Sequence, residues 1–191
     1  VSDAFVSIDV RNTIKETIAD ISAIQEGIGK KAAVRAVNKA VDGVATGASR
    51  EMRKIYNVKA RAIAAAMKKV KASMRGRSIA GSVAFSGRNI PLIEFDARWT
   101  RNMPGASVRI KVAGTRKTLR GSFIATTGRG TKGVFVRVGP RRYPIKNLRS
   151  LSIPDIVHNE AVRTALVAIG TDRFKREFLH QLNFLMTKQN G

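Results

Sequence analysis

A chain of 191 residues suits one domain, or one domain with an appended arm, and 43% hydrophobic residues are enough to pack a core. With 6% aromatics that core must be built mainly from Ile, Val, Leu and Ala, and with no cysteine the chain can form no disulfide, thiolate nucleophile or Cys-based zinc site. Against 13 Asp and Glu stand 36 Lys and Arg, a formal charge of +23 that repels itself in a free monomer and favours a polyanion or an acidic protein surface as partner.

The first element is "FVSIDV", whose alternation of apolar and polar residues predicts a short strand. A helix should follow. Thr13 and Glu16 make a capping-box pattern, and Ile14, Ile18, Ile21, Ile24 and Ile28 then fall on one helical face. Gly27 and Gly29 should end or bend it. This leading stretch, residues 1–29, has two basic and five acidic residues and is read as an N-terminal strand and helical arm; residues 30–191 are read as one α+β domain.

A second helix is expected from Lys30 to Tyr56, with Val37, Val41, Val44, Ala48, Met52 and Ile55 as its apolar stripe. Gly43 and Gly47 lie inside it, four apart, as in a close helix–helix contact. A third helix should start after Asn57 and carry Ile63, Met67, Val70 and Met74 on one side, ending at "SMRGRS". Residues 50–77 hold ten basic residues and one acid.

The period then changes from helix to strand. Ile79, Gly81, Val83 and Phe85 alternate; so do Ile93, Phe95, Ala97 and Trp99, and then Val108, Ile110 and Val112. "GSFIATT" and "KGVFVRVG", joined by the Gly-rich "GRGTK", read as a hairpin. These make an antiparallel meander of four or five strands with one apolar face. The last element is a helix pair. Ser152, Pro154 and Asp155 make an N-terminal cap; Val162, Leu166 and Ile169 follow; Gly170 should interrupt, and Thr171 should cap a second segment with Phe174, Phe178, Leu182 and Leu185. The fold class is therefore α+β, with N-terminal helices, the meander and a C-terminal helix pair.

Catalytic chemistry finds little support. Glu94 and Asp96 share one face of their predicted strand and could hold Mg²⁺ in a nuclease, but no Glu-x-Lys follows on the next strand. Both are read as solvent-facing residues beside Arg98 and Arg101. His158 and His180 are too few and too isolated for a His-rich metal site, and "GRGTKG" lacks the P-loop consensus. Catalytic residues, metals and cofactors are all expected to be none. No apolar run approaches bilayer length and no signal-peptide pattern is visible, so a soluble intracellular origin is the simple expectation.

The basic segments carry more information. Residues 97–154 hold fourteen basic residues and no acid. Taken singly each charge run is a solvated face, but the block as a whole is a candidate surface for phosphates or acidic protein. The nominated cations are Lys59, Arg61, Lys68, Lys69, Lys71, Arg75, Arg109, Lys111, Arg116, Lys117, Arg129 and Lys132. Trp99 and Tyr143 are the only plausible stacking aromatics, and Trp99 shares parity with core positions. Within "GPRRYPIKNLRSLSIP", Pro140 and Pro144 stiffen a cationic turn, and Arg141, Arg142, Tyr143, Pro144 and Ile145 are the candidate partner interface. A connector whose prolines merely set the chain direction is the alternative.

The order of four segments resembles the phage minor tail protein Z family of lambda-like tails. They are "AVRAVNKAVDGVATGASREMRKIYNVKARAI", "IPLIEFDAR", the pair "RGSFIA" and "GVFVRV", and "RYPI" followed by "SIP". The similarity covers about residues 32–185. It implies a non-enzymatic neck or tail-completion protein at the head–tail junction of the virion, met in the host cytoplasm during assembly. The implied assembly is a homo-oligomeric ring, sixfold like the tail tube. Its implied neighbours are the tail terminator or tail tube and the head-closure or connector proteins, with genomic DNA passing through and no membrane. A basic nucleic-acid-binding protein without sequence preference is the rival from another class.

Overall fold

The computed structural model describes residues 4–8, 26–73, 79–101, 104–128 and 130–190. The helix expected from Thr13, most of its isoleucine stripe, most of the "SMRGRS" break and two nominated cations, Arg75 and Arg129, lie outside them.

The expected α+β class is what forms, on a frame of two long helices. Helix α1 spans Glu26–Ile55 and helix α4 spans Glu160–Asn190. They run antiparallel, because contacts step down one as they step up the other: Arg35 donates to Gln181, Gly43 meets Arg173, and Gly47 meets Ile169. The two glycines make the close contact their spacing suggested. A Cβ on Gly47 would sit 2.8 Å from Ile169 Cδ1, and one on Gly43 3.2 Å from Arg173 Cγ. The buried stripe of α1 is the expected one, Val37, Val41, Val44, Ala48 and Met52, with the small residues Ala33, Ala36 and Ala40 beside it. Opposite lie Val162, Leu166, Phe174, Phe178, Leu182 and Leu185 of α4.

Three expected boundaries are overturned. Gly27 and Gly29 lie inside α1, and Gly170 lies inside α4, which is one continuous helix from Glu160 onwards. An interior glycine costs about 1 kcal/mol against alanine. That is small beside the burial of the Leu166–Leu185 stripe, so tertiary packing decides. The C-terminal pair is instead a one-turn helix α3, Ile153–Val157, followed by α4. The third boundary is Met67. Helix α2 covers only Ala60–Ala66, and Met67–Val70 continues as strand β2. Their backbone pairs with Gly81–Phe85, and this ladder takes precedence over a stripe spaced equally well for a helix.

Among the described residues there are three three-stranded antiparallel sheets rather than one meander. In the first, β1 (Ala4–Ile8) and β2 flank β3 (Gly81–Phe85), which lies against α1. A Cβ on Gly81 would come within 2.7 Å of Val41 and 2.8 Å of Val37, so only glycine lets the strand approach that closely. The second sheet orders β4 (Arg98–Thr100), β5 (Gly105–Val108) and β6 (Lys117–Arg120); the third orders β7 (Ser122–Thr126), β8 (Lys132–Arg137) and β9 (Ile145–Asn147). The expected β7–β8 hairpin is present, with Phe123 opposite Phe135.

One residue, Gly121, turns the chain from the second sheet into the third at φ +71, a left-handed conformation that suits glycine. Ser122 then pins the corner: its buried hydroxyl accepts from Ala106 N (3.0 Å) and donates to Leu119 O (2.6 Å). The strand expected over Ile93–Trp99 does not form as such. Leu92–Glu94 is a turn of 3₁₀ helix, and Asp96 has a left-handed φ of 47. This break resets the alternation, so Trp99, expected on core parity, is 55% exposed on β4. Val112, expected on the apolar face, is likewise exposed, because β5 ends at Val108 and a turn follows Lys111.

The cap of α3 forms as expected. Ser152 Oγ accepts from Asp155 N, and the Asp155 carboxylate accepts from Ser152 N at 2.8 Å. The bonds from Ser152 hold the Asp155 carboxyl below the usual carboxylate value. A carboxyl depressed in the native state stabilises above its unfolded pKa, and that contribution is lost as pH falls through the native value. Ser152→Ala should cost about 1 kcal/mol near neutral pH, and the difference from wild type should shrink in acid as Asp155 protonates. Urea unfolding midpoints of both proteins from neutral pH into the acid range test this, and a gap that widened in acid would contradict it.

Candidate functional site

Partner recognition by a cationic protein requires charges that its own fold has not neutralised. The structure sorts the nominated cations on this criterion. Lys69 and Lys71 both meet Asp42 of α1, at 2.7 and 3.2 Å. The hydrogen bond from Lys69, assisted by Lys71, depresses the Asp42 carboxyl. Arg61 holds the Glu94 carboxylate through two nitrogens, and Lys59 Nζ donates to Ile93 O at 3.0 Å beside it. Glu94 and Asp96, read from the sequence as solvent-facing neighbours, are therefore separate anchors for cations. Asp96 pairs with Arg98 and Arg116.

Arg116 belongs to the fold more than to the surface. It is half-buried and donates to Asp96 O (2.8 Å), Ser107 O (3.1 Å) and the Asp96 carboxylate. It thereby braces the left-handed residue that separates the 3₁₀ turn from β4. Burial pushes the Asp96 carboxyl up, but the bonds and charges of Arg98 and Arg116 outweigh it, and the group stays below the usual range. Arg109 is also half-buried, and its Nε has no hydrogen-bond partner. Lys68, Lys111, Lys117 and Lys132 remain on the exposed surface.

The proline turn differs from all of these. Residues 138–144 leave the end of β8 and return as β9, and the loop is closed by Val138 N donating to Pro144 O at 3.1 Å. Arg141, Arg142, Tyr143 and Pro144 are all exposed, Tyr143 to 63%, and Ile145 is half-buried where β9 begins. The Tyr143–Pro144 peptide is cis. Arg142 lies over the Tyr143 ring, 5.7 Å from its centroid.

The sheet beneath contributes two groups that had not been nominated. Phe123 of β7 lies under the guanidinium of Arg137 from β8, at 5.5 Å, and the Arg137–Ile145 pairing brings that arginine to the base of the turn. Phe123, Arg137, Arg142, Tyr143 and Ile145 line a pocket of about 410 Å³, closed on another side by the Thr126–Gly128 loop. No local signal in the sequence singled out Phe123 and Arg137: Phe123 and Ile124 are adjacent apolar residues, and which of them meets Arg137 is set by the register of β7 on β8. Two arginines over two aromatic rings beside an apolar wall make a surface suited to an anionic group carried on an apolar stem.

Among the described residues no group of three or more His, Asp or Glu side chains could hold a metal ion, and no helix is long and apolar enough to cross a membrane. Residues 12–188 match the family model of prophage minor tail protein Z (GPZ), and the chain belongs to that family. It is thus a phage tail protein, a component of the virion that assembles with other tail components. No curated protein and no solved structure matches it significantly.

Proposed function

We propose that this chain is a non-enzymatic tail-completion protein that forms a ring at the head-proximal end of the tail, where it joins tail to head and helps to position DNA. The observation that carries this beyond family membership is the proline turn. It sets Arg141, Arg142 and Tyr143 outside the core on a closed loop, in the residue types enriched at interface hot spots. Its neighbours in this reading are the tail terminator or tail tube on one side and the head-closure or connector ring on the other.

A ring of identical subunits needs heterologous interfaces that close by rotation. At +23 per chain, isolated subunits repel, so the free protein should stay monomeric or of low order at low salt and form its ring on the tail end. Electron microscopy of tails assembled with and without the protein tests this. A ring of density at the head-proximal end, missing from the deficient tails, is the expected result; a single copy there, or density at the opposite end, would refute it.

The second reading, a nucleic-acid-binding protein, is favoured by the exposed cations Lys68, Lys111, Lys117 and Lys132. Binding through such charges should show little sequence preference and fall steeply with salt, because each neutralised phosphate releases counterions. Titration of unrelated duplexes across a salt series measures it. Absence of binding at low salt would assign the charge to protein contacts.

A further inference from the structure

We propose that the pocket under the proline turn is a carboxylate receptor, and that its occupant is an acidic segment of a different protein of the particle. The inference rests on reading the turn as a docking surface and names the chemistry of what docks there.

A guanidinium beside an aromatic ring keeps N–H groups that can grip an oxyanion in bidentate fashion. The Arg137 guanidinium lies 5.5 Å from the centre of the Phe123 ring and that of Arg142 5.7 Å from the centre of the Tyr143 ring, and both arginines line the same cavity. No carboxylate lines it, and none exists from residue 97 to residue 154. Asp42, Glu51, Glu94, Asp96 and Glu177, by contrast, each pair with the chain's own Lys or Arg elsewhere in the fold. The pocket is thus a place where the fold has assembled positive charge without its counterpart.

A second copy of the chain is a poor source of that counterpart. It arrives with +23 of its own, and most of its described carboxylates are already paired, so its acid-rich residues 1–29 are the competing source that the self-association outcome below tests. Duplex DNA is a poor fit for another reason. Its phosphates lie on a convex surface, whereas this site is concave and has Phe123 and Ile145 in its wall. Apolar wall and cationic mouth together suit a glutamate or aspartate whose methylenes, or whose apolar neighbour, enter the cavity while the carboxylate meets the arginines.

The test uses the full chain and a labelled, amidated Glu-Glu-Phe-Glu-Glu peptide, with a Gln-Gln-Phe-Gln-Gln peptide and a short DNA duplex as comparisons. Wild type should bind the acidic peptide saturably and the glutamine peptide not at all. Arg137→Gln with Arg142→Gln should weaken acidic-peptide binding at least about tenfold, the scale expected for charge-assisted hydrogen bonds. Lys30→Gln with Lys31→Gln, the same loss of charge on exposed α1 positions, should leave it nearly unchanged. Duplex binding should fall equally in the two double variants.

Four results would overturn the proposal: no saturable binding of the acidic peptide by wild type; equal loss in both double variants; a loss confined to the duplex in the arginine variant; or self-association that the arginine variant abolishes. Infectivity separates this idea from the reading on which it rests. If the arginine variant loses the peptide yet supports wild-type infectivity, the carboxylate-binding chemistry of the pocket stands, and the particle-protein occupant falls together with the docking role of the turn.

Discussion

Replacing Arg141 and Arg142 together with Glu should leave the protein folded and nearly abolish productive head–tail joining. Both side chains are exposed, and no hydrogen bond or ion pair ties either to the body of the described structure; Arg142 has only the Tyr143 ring. Substitutions at such positions usually shift stability by about ±0.5 kcal/mol, so the melting profile should be unchanged. At a docking surface the same change reverses two charges. Like charges brought together there cost several kcal/mol, and each 1.4 kcal/mol is about a tenfold loss of affinity. In a complementation assay heads and tails should both form while infectious particles become scarce. Wild-type infectivity would reduce the turn to a connector, and a lowered melting temperature would mean that the arginines support the fold.

That variant probes a segment whose character was plain in the sequence, and the contrast with its surroundings is instructive. Prolines, arginines and a tyrosine without acids described an exposed turn correctly, because local composition decides exposure there. The pocket beneath was not legible. It depends on Arg137 lying opposite Ile145 and on Phe123 occupying the neighbouring strand, pairings set by sheet register and not by any spacing along the chain. The glycine pair on α1 could be read as a contact, yet its partner Ile169 could not be named, since nothing local records which helix comes to face it.

The misread elements share a cause. At Met67 the apolar positions satisfied a helical period and the chain became a strand, because β3 offered a backbone partner. At Gly170 a residue that weakens an isolated helix was carried through by the packing of α4 on α1. At Asp96 a single left-handed residue, braced by Arg116 from twenty positions away, cancelled the parity that had placed Trp99 inside. Glu94 and Asp96 were read as solvent-facing beside Arg98 and Arg101; Asp96 does meet Arg98, but Arg61 and Arg116, which also hold the two carboxylates, come from other parts of the chain.

The continuous α4 helix carries the largest expected effect on stability, at Phe178. That ring is 2% exposed and stacks on Phe174 with centroids 5.6 Å apart, in the core shared with α1. Truncating a buried phenylalanine removes its transfer free energy and leaves a cavity, so Phe178→Ala should cost about 3–5 kcal/mol. For a chain of this size each kcal/mol lowers the melting temperature by about 2–4 °C, which gives a drop of roughly 6–20 °C. Phe184, six residues further along the same helix, is 51% exposed, and Phe184→Ala should move the transition by only a degree or two. The comparison tests the register of the helix, because a break at Gly170 would free the second segment to turn another face inward. Similar losses from both substitutions, or a larger one at Phe184, would show that α4 does not present Phe174, Phe178, Leu182 and Leu185 to α1 as a single stripe.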